Sequence, residues 1–321
     1  MMIALTVKLA LNVAPQVYVR VRPGDLDGSG ALLAGKDVNL NLSGDLTNSG
    51  TIAGRNVMAI TAENINNLGG KLSADQLSAS ARQDLNNIGG LIEAGSAATV
   101  TAGRDLNLTT TTQSSSNTTS NKAGGNTFAQ TGIDRVAGLF VKSSTGTLVA
   151  SAGRDINLAG AIVSSAGSAS LSAGRDLNLA TVTTSSSQNL NWDANNYLRQ
   201  SSSQDVGSQV RAGTNLTLSA GNNLTAQAAQ VSAGAALVAT AGNNIAITAG
   251  QASQSLEEAN QTKSRGFLSS TTTTNRTSNQ STTALGSSFE GNTVKLSAGK
   301  TFTQTGSDVF IPNGMGIMRI R

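Results

Sequence analysis

Apolar residues recur in this chain about once every twenty positions, and that period constrains the fold more than any other feature. Leu26, Leu46, Ile65, Leu85 and Leu106 follow one another at steps of 20, 19, 20 and 21 residues. A second series, Leu32, Ile52, Leu72 and Ile92, steps by 20, and a third, Val38, Val57, Leu77 and Ala98, by 19, 20 and 21. The period returns later as Ile156 to Leu177, Leu216 to Leu237 and Leu224 to Ile245, each 21 apart. Repetition at this period marks a solenoid, in which each repeat buries its apolar side only against its neighbours.

The spacing within a repeat selects strands over helices. Apolar residues stand two apart and then meet turn residues, as in Val38-Asn39-Leu40, Leu106-Asn107-Leu108 and Leu216-Thr217-Leu218. A tetrapeptide follows the same rhythm: Ala-Gly, then Lys, Arg or Asn, then Asp or Asn. It occurs at Ala34–Asp37, Ala102–Asp105, Ala152–Asp155, Ala173–Asp176 and Ala241–Asn244. Glycine admits positive φ and Asx side chains bond their own backbone, so the tetrapeptide reads as a sharp turn. Three short strands and three turns in about twenty residues make one coil of a parallel β-helix, each coil about 4.8 Å above the last. The predicted fold class is therefore all-β, a solenoid of such coils. Asn48, Asn67 and Asn87, with Asn66 and Asn86 beside them, fall in register for a side-chain amide ladder. A narrow interior accounts for only nine aromatics in 321 residues.

The expected organisation is an N-terminal strand or cap segment over 1–23 and regular coils over 24–108. Coils with insertions then fill 109–310, and 311–321 forms a tail. Alternation of Ile3 to Val13, and again of Val17 to Val21, gives two short strands in the cap. The insertions, at about 109–147, 183–211 and 251–293, are rich in Ser, Thr, Asn and Gln. They hold Phe128, Phe140, Trp192, Tyr197, Phe267 and Phe289. Removing them leaves roughly ten coils and a rod about 50 Å long. Loops on a rigid scaffold commonly carry recognition, and aromatics anchor interfaces. Phe128, Phe140, Trp192, Tyr197 and Phe267 are the candidate recognition residues; the competing reading packs them beneath their own loops or makes the Ser/Thr runs extra solvated strands that widen the coil.

Composition narrows the chemistry. The chain has no Cys and no His, which removes thiol nucleophiles, disulfides, thiolate or imidazole metal sites and the Ser-His-Asp triad. The net charge of +4 is spread singly, so no nucleic-acid partner is expected. No apolar run is long enough for a transmembrane helix. Asp25-Leu26-Asp27-Gly28-Ser29-Gly30 imitates a calcium loop, but Lys36 occupies the position that a bidentate Glu would need. Asp37, Asp84, Asp105, Asp155 and Asp176 recur at one turn position, which reads as structural; Glu257-Glu258 is an adjacent acidic pair with no identifiable base. No catalytic residue, metal or cofactor is assigned. Arg55, Arg104, Arg154 and Arg175 recur at the turn and suggest a basic row along one corner.

These motifs carry a resemblance. The AGRDLNL and AGNNLTA turns, the LNNIGGLIEAG coil, and Lys263–Ser270 followed by Thr271 to Thr274 resemble filamentous haemagglutinin-type exoproteins of bacterial two-partner secretion. The same repeats occur in the stalks of contact-dependent growth inhibition effectors. The resemblance, from about Leu26 to Asp308, implies a right-handed parallel β-helix and export through an outer-membrane transporter partner. It also implies display as a secreted or bacterial cell-surface rod. The absence of Cys suits that route, since a disulfide would obstruct threading. It implies non-catalytic contact with a host or neighbouring-cell receptor or glycan. The alternatives are the delivery stalk of a growth-inhibition toxin and, third, a β-helix enzyme degrading polysaccharide. Neither the family's secretion domain nor a toxin domain is recognisable, so the expectation is an interior fragment, or a truncated reading frame, of a longer exoprotein.

Overall fold

The computed structural model describes residues 32–120, 125–311 and 316–320, and every regular element among them is a strand. Parallel strands stack into a solenoid with three faces, and the three apolar series of the sequence become three interior columns. On the first face Ile52, Leu72, Ile92, Leu139, Val163, Val210, Val231 and Phe289 lie in register. Met58, Leu77, Ala98, Leu148, Ala169, Leu216, Leu237 and Val294 do so on the second. On the third, Leu46, Ile65, Leu85, Leu106, Ile156, Leu177, Leu224, Ile245 and Phe302 follow one another. Strand alternation puts every second residue inside, so a single core runs along the axis. Each Leu or Ile buried there contributes about 1.5–3 kcal/mol, but only while its neighbouring coils cover it.

Two columns are read one residue out of place by the sequence period alone. Leu33, not Leu32, pairs with Ile52, and Met58, not Val57, continues from Val38 to Leu77. Val57 is 42% exposed, whereas Met58 is buried. The cause is a bulge between the first and second faces, where the register shifts at Gly35/Asp37 and at Ala53/Val57. One extra residue reverses which side of the strand faces inward. The same shift removes Ala34–Asp37 from the turn series, because Ala34 and Gly35 pair with Ala53 and Gly54 between faces one and two.

The genuine turn glycines do not need positive φ. A Cβ at Gly153 would overlap the carbonyl oxygen of Gly103, and Gly174, Gly221, Gly242 and Gly299 repeat that approach to the coil before each. Glycine is required there because backbones stack too closely for a side chain. On the coils positive φ belongs to the opposite corner, between faces three and one, at Gly69, Gly89, Gly160, Ala228 and Gly306; Gly125 adds one on the first hairpin.

Leu26, the proposed 1–23 cap and the calcium-like segment lie outside the described residues. The expected 311–321 tail contributes to the solenoid, since Gly316–Ile320 pairs in parallel with Val294–Ala298.

Candidate functional site

All three polar excursions leave from that same corner between faces three and one, and each is an antiparallel hairpin. The first pairs Thr111–Thr119 with Asn126–Arg135. The second joins Leu177–Asp193 to Asn196–Gly207, and the third Gly250–Arg265 to Ser270–Leu285. They are narrower than the sequence expectation. Gly138–Val141, Gln209–Ala212 and Ser288–Glu290 are strands of the first face. Phe140 therefore stands on a coil strand opposite Glu93 and Ser164, and Phe289 is wholly buried in the core.

The hairpins are not independent loops. Asn126–Arg135 pairs with the outgoing strand of the second hairpin, and Asn196–Gly207 with that of the third, giving one six-stranded antiparallel sheet beside the rod. Its spacing follows from geometry. Hairpins depart after Leu106–Thr109, after 177–180 and after Asn244–Thr248, and the coils between them, at Ile156–Ala159 and Leu224–Gln227, have none. Two strands about 4.8 Å apart occupy the rise of two coils, so a hairpin on alternate coils tiles without gap or overlap.

Leaving the coil interrupts its backbone ladder, and buried unpaired peptide groups are costly. One buried hydroxyl at each root resolves this. Thr110 Oγ1 donates to Gly160 O at 2.6 Å and accepts from Ala137 N at 3.1 Å. Ser208 Oγ lies 3.0 Å from the Leu158 and Ala180 carbonyls and accepts from Ala161 N. Ser287 Oγ donates to Thr248 O at 2.8 Å and accepts from Ala229 N at 2.9 Å. Across the sheet one register row reads Ser114, Thr131, Ser185, Ser203, Ser253 and Thr282, six hydroxyls on six strands.

The sheet ends in a step. The second hairpin closes in a two-residue turn between Asp193 and Asn196, whereas residues 260–265 of the third run on past it. Pairing of Asn191 with Tyr197 and of Asp193 with Asn196 leaves Trp192 without a partner, a bulge that turns its indole outward. Trp192 is 62% exposed. Below it opens a cleft of about 510 Å³ lined by Trp192, Asp193, Asn196, Tyr197, Leu198, Glu258, Ala259 and Asn260. Asp193 Oδ2 accepts from Asn196 Nδ2 and Oδ1 from Asn195 N, both at 2.7 Å, and these bonds hold its carboxyl below the usual carboxylate range. Arg199 lies over the Tyr197 ring at 4.4 Å and reaches Glu257 at 3.4 Å, so the cationic group nearest Tyr197 is already engaged.

Elsewhere charge is spent on the coils. Arg104, Arg154 and Arg175 each reach back to the aspartate of the preceding coil: Asp84 at 2.7 Å, and Asp105 and Asp155 at 2.8 Å, through Nε, with a second bond from Nη2. Asp84 and Asp155 are held below the usual carboxylate range by these guanidiniums. The expected basic row is thus an alternating acid–base ladder, and Arg55 lies outside it, beside the bulge. Burial pushes Glu93 up, but Lys71 at 3.0 Å and Lys142 at 3.3 Å outweigh it and leave its carboxyl below the ordinary range.

Residues 194–317 match the family described as Hemagglutinin repeat. Over that stretch the chain is similar to haemagglutinin-repeat proteins, which supports a filamentous haemagglutinin-like protein. The matched stretch begins in the turn of the second hairpin and takes in the whole third hairpin with the coils around it. No curated protein and no solved structure matches the chain. Of its five candidate recognition residues the structure brings two together, Trp192 and Tyr197, in the cleft. Phe128 stands on the first hairpin opposite Asn117 and Gln188, 45% exposed, and Phe267 is at the tip of the third. Sequence reasoning missed Asp193, Asn196 and Asn260, and it set Glu258 aside as half of an acidic pair with no base; the Asp-Ala-Asn-Asn run after Trp192 was the available turn signal. No group of three or more His, Cys, Asp or Glu gathers among the described residues, and no helix is long and apolar enough to cross a membrane.

Proposed function

We propose that this haemagglutinin-like chain is part of a surface-displayed adhesive rod, exported with an outer-membrane transporter partner, and that the stepped side sheet holds its recognition site. The ligand is a neutral glycan on a host or neighbouring cell. The observation that carries this reading is the bulged, outward Trp192 above a cleft whose lining residues include two carboxylates, two amides and the Tyr197 phenol. An indole offers a flat apolar platform for the C–H face of a sugar ring. Asp193 keeps lone pairs free after its two hydrogen bonds, so it can accept from hydroxyls. With no cation in the lining, sulfated or sialylated glycans meet like charge. The family is structural in character, and the role assigned here is contact without catalysis. No feature of the described residues favours a toxin-delivery stalk over adhesion.

The test is a glycan array probed with the wild-type chain and Trp192→Ala, followed by attachment to cells displaying the preferred glycan. Binding to neutral hexoses should fall at least about tenfold in the variant, as for an aromatic anchor at an interface. Equal binding by both proteins, or a preference for sulfated glycans, rejects the proposal.

A further inference from the structure

The third hairpin ends in a feature that neither the rod nor the cleft uses. Gly266–Ser269 close the tip, with Gly266 N donating to Ser269 O at 2.8 Å. The two residues between them are apolar and fully presented: Phe267 is 100% exposed and Leu268 93%. Trp192, the next most exposed large apolar residue, sits back at the step. Water disfavours leaving such an apolar pair at the most projecting point of a hairpin unless something covers it.

The surroundings say what covers it. From Ala259 to Phe289 there is no acidic residue, while Lys263, Arg265 and Arg276 are all present. The register puts Arg265 opposite Ser270, Lys263 opposite Thr272 and Arg276 opposite Ala259, so strand alternation places all three cations on one face of the hairpin. Asp193, whose carboxyl Lys263 helps to lower, is the acid of the second hairpin that faces this region. Below the tip the strands carry Ser, Thr, Asn and Gln, which tolerate a wet, polar layer. An apolar tip, cations a few residues behind it and neutral polar strands further back form the order in which a bilayer presents hydrocarbon, headgroup phosphate and water.

We propose that Phe267 and Leu268 insert into the outer leaflet of a facing membrane, with Lys263 and Arg265 on its anionic headgroups and Arg276 further back on the same face. Residues 260–265 carry the tip about 20 Å past the end of the second hairpin, so contact is made without the rod touching the bilayer. The site is separate from the Trp192 cleft and independent of any glycan.

The experiment is flotation of the full chain with lipid vesicles, either phosphatidylcholine alone or containing a third phosphatidylglycerol. Wild type, the double variant Phe267→Ser/Leu268→Ser and the double variant Lys263→Ser/Arg265→Ser are compared, each shown by circular dichroism to keep its strand signature. Wild type should float with anionic vesicles. Partitioning should fall at least about tenfold without the apolar pair, and the cation variant should lose most of the preference for anionic lipid. Failure of wild type to float, or equal flotation of the apolar variant, overturns the proposal. So does binding to whole cells that needs Phe267 and Leu268 when vesicles are not bound, since the tip then fits a protein pocket. None of these outcomes bears on Trp192, so glycan recognition stands or falls separately.

Discussion

Arg154 donates through Nε to Oδ1 of Asp105 at 2.8 Å, although 49 positions separate them along the chain and a complete hairpin lies between. The coil ladder closes over the excursion as if it were absent. Asn157 bonds Asn107 at 2.9 Å across 50 positions, and Thr225 bonds Asn178 at 2.7 Å across 47. Stability therefore resides largely in contacts between successive levels of the solenoid.

The ladder should make stability depend on acid. Asp84 and Asp155 have carboxyl groups lowered by Arg104 and Arg175, below the value near 4 expected in an unfolded chain. A folded value below the unfolded one adds stability that is complete above about pH 5 and is lost as pH falls through the folded values. Urea midpoints should be level from pH 7 to 5 and drop towards pH 3. The double variant Asp84→Asn/Asp155→Asn should start lower and show a flatter acid limb; an identical acid limb would falsify the assignment.

Asn67 is buried in the middle of an amide stack, donating to Asn87 Oδ1 at 2.7 Å and accepting from Asn48 at 2.8 Å. Replacing it by Leu should cost about 2–3 kcal/mol, because Asn48, Asn87 and the Gly70 carbonyl each lose a bond. Leu108 and Leu158 already occupy the equivalent place higher in the rod. Replacing Asn48, Asn67 and Asn87 together by Leu should accordingly cost less than three single changes, as measured by chemical denaturation.

Gly153→Ala forces a methyl into the Gly103 carbonyl and should destabilise by about 1–3 kcal/mol. Gly132→Ala, in an open position on the first hairpin, should be neutral or slightly favourable. Thermal melts that rank the two the other way would remove the close-stacking explanation.

Ala228 holds φ at 48° at the corner where other coils use Gly69, Gly89, Gly160 and Gly306. The left-handed conformation costs a residue with a Cβ about 1–2 kcal/mol, more than glycine loses in chain entropy. Ala228→Gly should raise stability by up to about 1 kcal/mol, and a lowered melting midpoint would contradict this.

The second hairpin bridges the other two. Deleting 181–207 should expose the backbone of Gly250–Arg265 and Asn126–Arg135 to rapid hydrogen exchange. Deleting 250–285 should leave the first two hairpins protected. If both deletions speed exchange in the first hairpin equally, the sheet does not behave as one unit.

By itself the sequence determined the winding. Leu46, Ile65, Leu85 and Leu106 announce one coil per twenty residues because a column of inward side chains must repeat at the period of the coil. Asn67 and Asn87 likewise declare a stack, since like amides bond only in register. What the tertiary structure decided is everything that depends on neighbours distant in sequence. One bulge moved Leu32 and Val57 out of their columns, because parity along a strand cannot be counted through an extra residue. Glycine at 153 reads as a left-handed turn until the coil beneath it is seen to forbid a methyl. The three Ser/Thr-rich runs read only as hairpins, loops or added strands because nothing in their composition says which strand lies beside which. Only the matching of hairpin width to the rise of two coils makes them one sheet, and only its stepped end brings Trp192 and Tyr197 over Glu258.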